Sequence, residues 1–299
     1  MAEVTRYGRE LALYLCLTGA VLVPRPAAAA SDPPATPAVA WPNWSLNDSR
    51  RNWAIRPDVE VGFIGVIAHG IQLGRDGTRL DYVREGGQDV LFPVVRLSTE
   101  LELYKHHNIT FLYQPINLRT DAVFRRDVRL YGVDFPSGTP VDLRYGFDYF
   151  RLGYGYDIFK DPRYELSFGV GLQIRNANLT FTSVDGELRT SSHDIGLVPL
   201  LRARGRYTFR NGFWLGLTAD GFYAAGRIVT GSLNSFVGAI YDVSAQAGFR
   251  LTGFLDVYLN LRFVGGGARG TERNPTPPSD GYTDNWLHTA GATIGFGFR

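Results

Sequence analysis

The sequence predicts an all-β protein, an antiparallel up-and-down transmembrane β-barrel of about ten strands. Three observations predict it. Over residues 58–299 apolar side chains recur with a period of two and show no helical period. The segments between these runs alternate between tight turns and long polar loops. The composition is 44% apolar and 20% charged with a mean hydropathy of −0.11. Such a chain is too apolar to be disordered and lacks the runs of about 20 apolar residues that a helical membrane bundle needs. A barrel in which every second side chain is polar fits both limits.

Taken in order, the chain opens on Arg6 and Arg9, an apolar run from Leu11 to Val23, and then Pro24-Arg25-Pro26 followed by Ala27 to Ala30. A basic start, a short greasy stretch and a small-residue site read as a secretory signal peptide over residues 1–30. Cys16, the one cysteine, lies within it, so the exported chain has no disulfide. Residues 31–57 begin Ser31-Asp32-Pro33-Pro34-Ala35-Thr36-Pro37, where proline fixes φ and removes donors. They are expected to form a Pro-rich periplasmic tail, leaving the barrel to residues 58–299.

Ten strands are expected, at about 59–74, 90–104, 109–118, 141–157, 164–182, 189–209, 213–223, 237–251, 254–264 and 286–298; eight or twelve also suit the pattern. The last is the clearest: Ala290, Ala292, Ile294, Phe296 and Phe298 share one face, Gly291, Thr293, Gly295 and Gly297 the other. Several runs reach the roughly 9–11 residues that cross a bilayer at a tilt. Short connections such as Arg210-Asn211-Gly212 and Thr252-Gly253 carry tight-turn chemistry. Those at 75–89, 119–140, 224–236 and 265–285 are long and polar, the last reading as exposed and mobile. Only 183–188 is short on the long-loop side. In 141–157 the apolar phase is odd through Leu143, Tyr145, Phe147 and Tyr149, then even at Leu152, Tyr154 and Tyr156; a β-bulge near Phe150–Arg151 would produce this. Pro115 and Pro199 fall inside predicted strands and must each lose a ladder bond.

In lipid the apolar face points outward, because an outward arginine at mid-membrane costs about 2–4 kcal/mol. The polar phase therefore lines the lumen. It carries Arg96, Glu100, Glu102, Asp142, Arg144, Asp148, Arg175, Arg202, Arg204, Arg206, Asp220, Asp242, Arg250, Asp256 and Arg262. Confined charges of mixed sign must pair, and the lumen glycines leave room for long arginines. The expected interior is polar and largely filled, a plugged barrel more than a wide pore. Tyr154, Trp214, Tyr223, Tyr241, Phe254, Tyr258 and Trp286 lie near predicted strand ends, as an aromatic girdle would.

The final strand, with Ile294, Phe296 and Phe298 alternating with glycine and threonine before Arg299, resembles the last strand of bacterial outer-membrane β-barrel proteins. The resemblance covers residues 58–299 as architecture and identifies no subfamily. It implies insertion in the bacterial outer membrane, contact with its lipid, and recognition of Ile294, Phe296 and Phe298 by the barrel assembly machinery. A structural or surface-interaction role, or limited small-solute passage, follows most simply. The alternatives are an outer-membrane hydrolase of lipid or peptide and a small-molecule transporter with a lateral opening.

No residue set points to catalysis, a metal or a cofactor. Ser191-Ser192-His193-Asp194 holds hydrolase residue types, but neighbours on a strand face opposite ways. His106-His107 sits in a turn without a nearby carboxylate. His69 and His288 lie high on the first and last strands, on the apolar phase, and are expected outside, near the lipid headgroups. Gly265-Gly266-Gly267 precedes no helix and is not a phosphate cradle. A net charge of +2 offers no basic surplus for nucleic acid.

Overall fold

The computed structural model describes residues 52–159, 161, 163–225, 237–271 and 279–299; the expected signal peptide and most of the expected tail lie outside them. Fourteen strands occupy the described residues: β1 (Trp53–Leu73), β2 (Leu80–Asp81), β3 (Leu91–Leu103), β4 (His107–Gln114), β5 (Asn117–Val123), β6 (Val128–Leu130), β7 (Val133–Phe135), β8 (Pro140–Asp157), β9 (Tyr164–Ser183), β10 (Arg189–Thr208), β11 (Phe213–Ala225), β12 (Val237–Arg250), β13 (Leu255–Thr271) and β14 (Tyr282–Phe298). Ten staves make one closed antiparallel barrel, because β14 pairs with β1 as well as with β13. β4 and β5 are one stave. Pro115 interrupts it, yet Gln114 faces Tyr149 and Asn117 faces Gly146 in unbroken register on β8. Pro199 sits within β10 opposite Leu172.

The staves begin and end close to where alternation places them, with three differences. Trp53 to Pro57, assigned to the tail, already pair with β3, so the barrel starts five residues early. The described residues of the expected loop 265–285 are mostly strand: β13 runs to Thr271, through Gly265 to Gly267, and β14 starts at Tyr282. Residues 272–278, with Arg273, Pro275, Pro277 and Pro278, lie outside the description. The long connections before and after β3–β5 are folded rather than loose. β2 adds to β1, and β6 and β7 form a hairpin of their own.

The exterior is apolar along the part of the barrel nearest the short turns. Phe168, Leu201 and Phe249 are 52%, 63% and 46% exposed. On β9 the outward run Leu166, Phe168, Val170, Leu172, Ile174 is greasy. It covers about 27 Å along the strand, which at the roughly 40° tilt of a membrane barrel rises about 20 Å, most of its roughly 25 Å apolar band. Beyond Ile174 the same outward face continues as Asn176, Asn178, Thr180 and Thr182.

β8 changes in the same way, and no bulge is involved. Its register with β9 is continuous from Val141–Ser183 to Asp157–Ser167. Leu143, Tyr145, Tyr149, Arg151, Gly153, Gly155 and Asp157 all point inward. Phe150, Leu152, Tyr154 and Tyr156 point outward in the greasy belt, and Asp142, Arg144 and Asp148 point outward above it. The two faces exchange polarity because the strand leaves one surrounding and enters another. The one real bulge near this level is on β1: register slips between Val66 and Ala68, and the extra residue turns His69 inward.

Glycines in the lumen phase provide space for their neighbours. A Cβ on Gly295 would sit 2.1 Å from the Tyr258 ring, and one on Gly153 would collide with the Arg202 guanidinium. Gly295→Val should therefore destabilise the refolded barrel by about 1–3 kcal/mol, read as a lower urea midpoint in detergent. Gly138→Ala, at a loop glycine with nothing within 4 Å, should instead cost about 1–2 kcal/mol through its φ of +89° alone.

Candidate functional site: the sealed lumen and its vestibule

Three layers fill the barrel. The middle one is a polar diaphragm to which every stave contributes a side chain. Arg151 is only 2% exposed, although arginine is rarely so buried without partners. It donates to Asp220 (2.5 Å), Asp242 (2.8 Å) and Gln173 (2.7 and 3.0 Å). Arg202 closes on Asp220 at 3.0 Å and Arg262 on Asp242 at 2.5 and 2.6 Å. Arg262 also donates to Gln114 and, at 2.8 Å, to the Tyr149 hydroxyl, which donates to Gln114 at 2.7 Å. Beside this group, Glu60 accepts from Arg96 (2.5 Å), Asn260 (2.7 Å) and Thr293 (2.7 Å). Four arginines thus meet three carboxylates, and amides and hydroxyls add further bonds, the condition under which buried charge is tolerated; Arg96 Nε, Gln173 Nε2 and Asn260 Oδ1 have no partner among the described residues.

Toward the long loops the interior becomes an apolar plug. Ile71, Leu73, Leu80, Leu130, Phe135, Leu143 and Phe181 are fully buried. The plug joins stave residues to β2 and the β6–β7 hairpin, which fold into the mouth. Backbone bonds Thr78 N to Arg129 O (2.8 Å) and Tyr131 N to Leu73 O (3.1 Å) tie the two loops and the wall together. One polar node lies within it. His69 is stacked on Tyr82 at 4.7 Å, edge-on to Tyr145, and set between Gln88 (2.7 Å) and Asn285 (3.1 Å). At the rim Arg126 clamps Glu85 at 2.7 and 3.0 Å and holds its carboxyl below the ordinary range.

Toward the short turns the lumen opens into a vestibule of about 250 Å³. Arg204 reaches from β10 to Glu100 on β3 and Glu165 on β9. Arg56 bridges Glu100 (3.1 Å) and Glu102 (2.8 Å). Asp256 receives Arg206 and Arg299, each at 2.8 Å, with Arg250 at 3.6 Å. Arg206 also lies 3.8 Å over the Trp214 ring.

Of the fifteen side chains assigned to the lumen, twelve point into it. Arg175 among them faces inward beside Gly196. Asp142, Arg144 and Asp148 do not. They are on the outer face, where Arg144 meets Asn117 (3.2 Å) and Arg119 meets Asp142 (3.8 Å). Their assignment assumed the bulge that β8 lacks. The same assumption hid Arg151, which the unbroken odd phase of 141–157 would have placed inside. Trp214 and Tyr258 belong to the vestibule wall, not to a girdle, because both occupy the inward phase of their strands. His69 is inside the plug and His288 outside against Tyr241, so the two share a strand pair but not a face. Ile294 and Phe296 project outward, as the terminal strand requires.

His193 faces outward and meets Asn176 at 2.7 Å; the Asp194 side chain lies outside the description. His106 and His107 contact the Asp157 carbonyl and the Tyr154 hydroxyl, each at 2.8 Å. Among the described residues no group of three or more His, Cys, Asp or Glu is placed to hold a metal.

An even-staved antiparallel cylinder, greasy outside and polar within, has short turns at one end and longer loops at the other. It has the architecture of the outer-membrane β-barrels. Solved structures similar to it include the outer membrane protease OmpT from Escherichia coli, at 14% identity and a TM-score of 0.49, over 82% of this chain and 96% of that one. Another is Ail, the attachment invasion locus protein of Yersinia pestis, at 10% identity and 0.33, over 82% and 99%. A third is the transport unit of the autotransporter AIDA-I from Escherichia coli, at 8% and 0.38, over 86% and 93%. No protein-family model and no curated protein matches the chain.

Two outcomes follow from the layers. Arg151→Leu removes the cation that Asp220 and Asp242 share but leaves each its own arginine, Arg202 and Arg262, and should cost about 1–3 kcal/mol of unfolding free energy for the buried acceptors, Gln173 among them, that lose a donor. The Glu85 carboxyl, being held low by Arg126, adds stability above its unfolded value and loses it as pH falls through the lower folded value. That exposed pair is worth under about 1 kcal/mol. Protease nicking of the 82–88 turn should therefore rise modestly on acidification below pH ~4.5 in the wild type, and Arg126→Gln should remove the pH step.

Proposed function

We propose that the protein is an integral outer-membrane β-barrel whose lumen does not conduct, with a structural or surface-interaction role. The observation that carries this is the succession of two seals: the diaphragm drawn from all ten staves and the apolar plug above it. An ion crossing the lumen would have to break paired arginines and then enter a dry core. Both steps are costly. The short turns and the vestibule face the periplasm in this reading, and the folded loops face the outside.

Outer-membrane lipid covers the belt that includes Phe168, Leu172, Leu201 and Phe249. Ile294, Phe296 and Phe298 serve recognition by the barrel assembly machinery. Above the belt, the outward polar side chains of β5, β8, β9 and β10 form the surface offered to partners. The plug weighs against the transporter alternative, since a substrate arriving from outside meets folded chain rather than an opening.

Planar-bilayer recording tests the proposal. The refolded wild type should give no steady unitary current, and replacing residues 124–135 by a short Gly-Ser linker should not open a pore by itself, because the diaphragm remains. Stable single-channel steps from the wild type would overturn it. Burial in lipid is tested separately: Leu201→Arg should cost about 2–4 kcal/mol in lipid vesicles, while Asn178→Arg, above the belt, should cost about 0–1 kcal/mol.

A further inference from the structure

On β13, β14 and β1 the outer wall changes character row by row above the greasy belt. The last wholly apolar row is Phe263, Ala290 and Gly65. Next comes His288, beside Gly265 and Ala68, its ring stacked on Tyr241 and bonded to the Tyr241 hydroxyl. Trp286 follows, between Gly267 and Gly70, and then Asp284, between Arg269 and Gln72. Amphipathic rings of this kind mark the edge of the hydrocarbon. Each row adds about 7 Å along a strand, or about 5 Å of height at a tilt of roughly 40°. The Trp286 and Asp284 rows therefore stand about 5 and 10 Å above the Tyr241–His288 pair, where the polar layer of a leaflet, roughly 5–8 Å deep, begins and ends.

Two guanidiniums meet at this height on a single carboxylate. Arg269 donates from Nε (2.9 Å) and Nη2 (2.8 Å), and Arg79 from Nη1 (3.4 Å), all to Asp284 Oδ2. The Asp284 side chain is 3% exposed and those of Arg79 and Arg269 are 63% and 44% exposed, so the acid lies beneath and the arginines form the surface. Arg79 belongs to the segment before β2, yet its Nη2 lies on the outer wall over Gly70, 3.4 Å from where a Cβ would stand. One row higher Arg75 reaches Thr271 Oγ1 at 3.4 Å. The other acids nearby are engaged. Asp81, opposite Gly70, has Arg84 at 3.8 Å, and Asp280 accepts the backbone N–H groups of Arg75 and Tyr282. Among the described residues Arg75, Arg79, Arg84 and Arg269 thus outnumber Asp81, Asp280 and Asp284.

We propose that this patch binds the phosphate of an outer-leaflet lipid headgroup, with Arg79 and Arg269 donating to its oxygens and Trp286 packing beneath it at the hydrocarbon edge. The guanidinium fork matches phosphate geometry, and an anion set between the two arginines relieves the repulsion of two cations drawn to one oxygen. Other outward arginines do not meet these conditions. Arg144 stands three rows above Phe150, about 15 Å, and donates to Asn117, while Arg119 lies against Asp142. The proposal rests on the reading of the chain as a membrane barrel with its long loops outside, and adds to it one specific lipid contact.

Native mass spectrometry of the full chain, released from vesicles of equal phosphatidic acid and phosphatidylcholine, reads which lipid stays bound. The wild type should retain phosphatidic acid about fivefold over phosphatidylcholine. Arg79→Gln combined with Arg269→Gln should bring the ratio within about twofold, and Arg119→Gln combined with Arg144→Gln should leave it unchanged. Should the first pair not give the heat-shifted gel band of a folded barrel, Arg79→Gln alone, at an exposed side chain, should still lower the ratio by about half. Quenching of Trp286, taken as the difference from Trp286→Phe, should be stronger with brominated phosphatidic acid than with brominated phosphatidylcholine. A wild-type chain that does not enter the vesicles contradicts the barrel reading itself. An inserted barrel that retains both lipids equally, or an equal loss in the Arg119 and Arg144 variant, overturns the proposal alone. Displacement of the lipid by inorganic phosphate would overturn it in favour of a site for the free anion.

Discussion

The long staves β8 and β9 each pass through two surroundings, and much of the rest of the structure adjusts to that. In the belt the outside must be apolar, so the polar half of the alternation goes inward. Above the belt the outside must be polar, so the apolar half goes inward. Neither strand register nor backbone geometry changes at the crossing on β8 or β9; only the residue types on each face do. The protein is thus a membrane barrel for part of its height and an ordinary soluble β-core for the rest.

The contents of the lumen follow. Within the belt, arginines and acids have been withdrawn from lipid into a confined space, and each needs a partner, a constraint answered by side chains from all ten staves at one level. Glycine opposite arginine, tyrosine and tryptophan makes this possible, because two large side chains at one level would not fit. Above the belt, that level of polar saturation is unnecessary. There the returning loops supply what a closed cylinder of this size cannot make from its walls alone, enough apolar volume to fill the mouth. The plug therefore belongs to the fold, and its effect on permeation is a consequence of packing.

The architecture was legible in the sequence because period-two alternation and turn chemistry are local signals. Most stave boundaries, the pairing of first and last strands and the outward terminal residues Ile294 and Phe296 could be read directly, whereas the early start of β1 at Trp53 and the extension of β13 to Thr271 could not. The lumen arginines of β10 and the acids of β11 to β13 were legible too, since those strands keep one phase throughout. The largest failure has one cause. A phase change in 141–157 has two physical causes, a bulge or a change of surroundings, and alternation by itself does not distinguish them. Choosing the bulge put Asp142, Arg144 and Asp148 inside and overlooked Arg151. At His69 the opposite error arose, because a real bulge at Ile67 leaves no mark in an apolar run. The vestibule's ion pairs depend on which stave lies beside which, and that only closure reveals.

The most direct test of the central claim is site-directed spin labelling along β8 in lipid vesicles, reading collision with oxygen, which partitions into hydrocarbon, against collision with a water-soluble nickel chelate. Labels at Leu152 and Tyr154 should favour oxygen, labels at Arg144 and Asp142 the chelate, and a label at Leu143 neither, with the change falling between Phe150 and Asp148. Oxygen-favoured collisions at Leu143 and Tyr145, together with protection at Leu152 and Tyr154, would contradict a single unbroken phase whose two faces exchange surroundings.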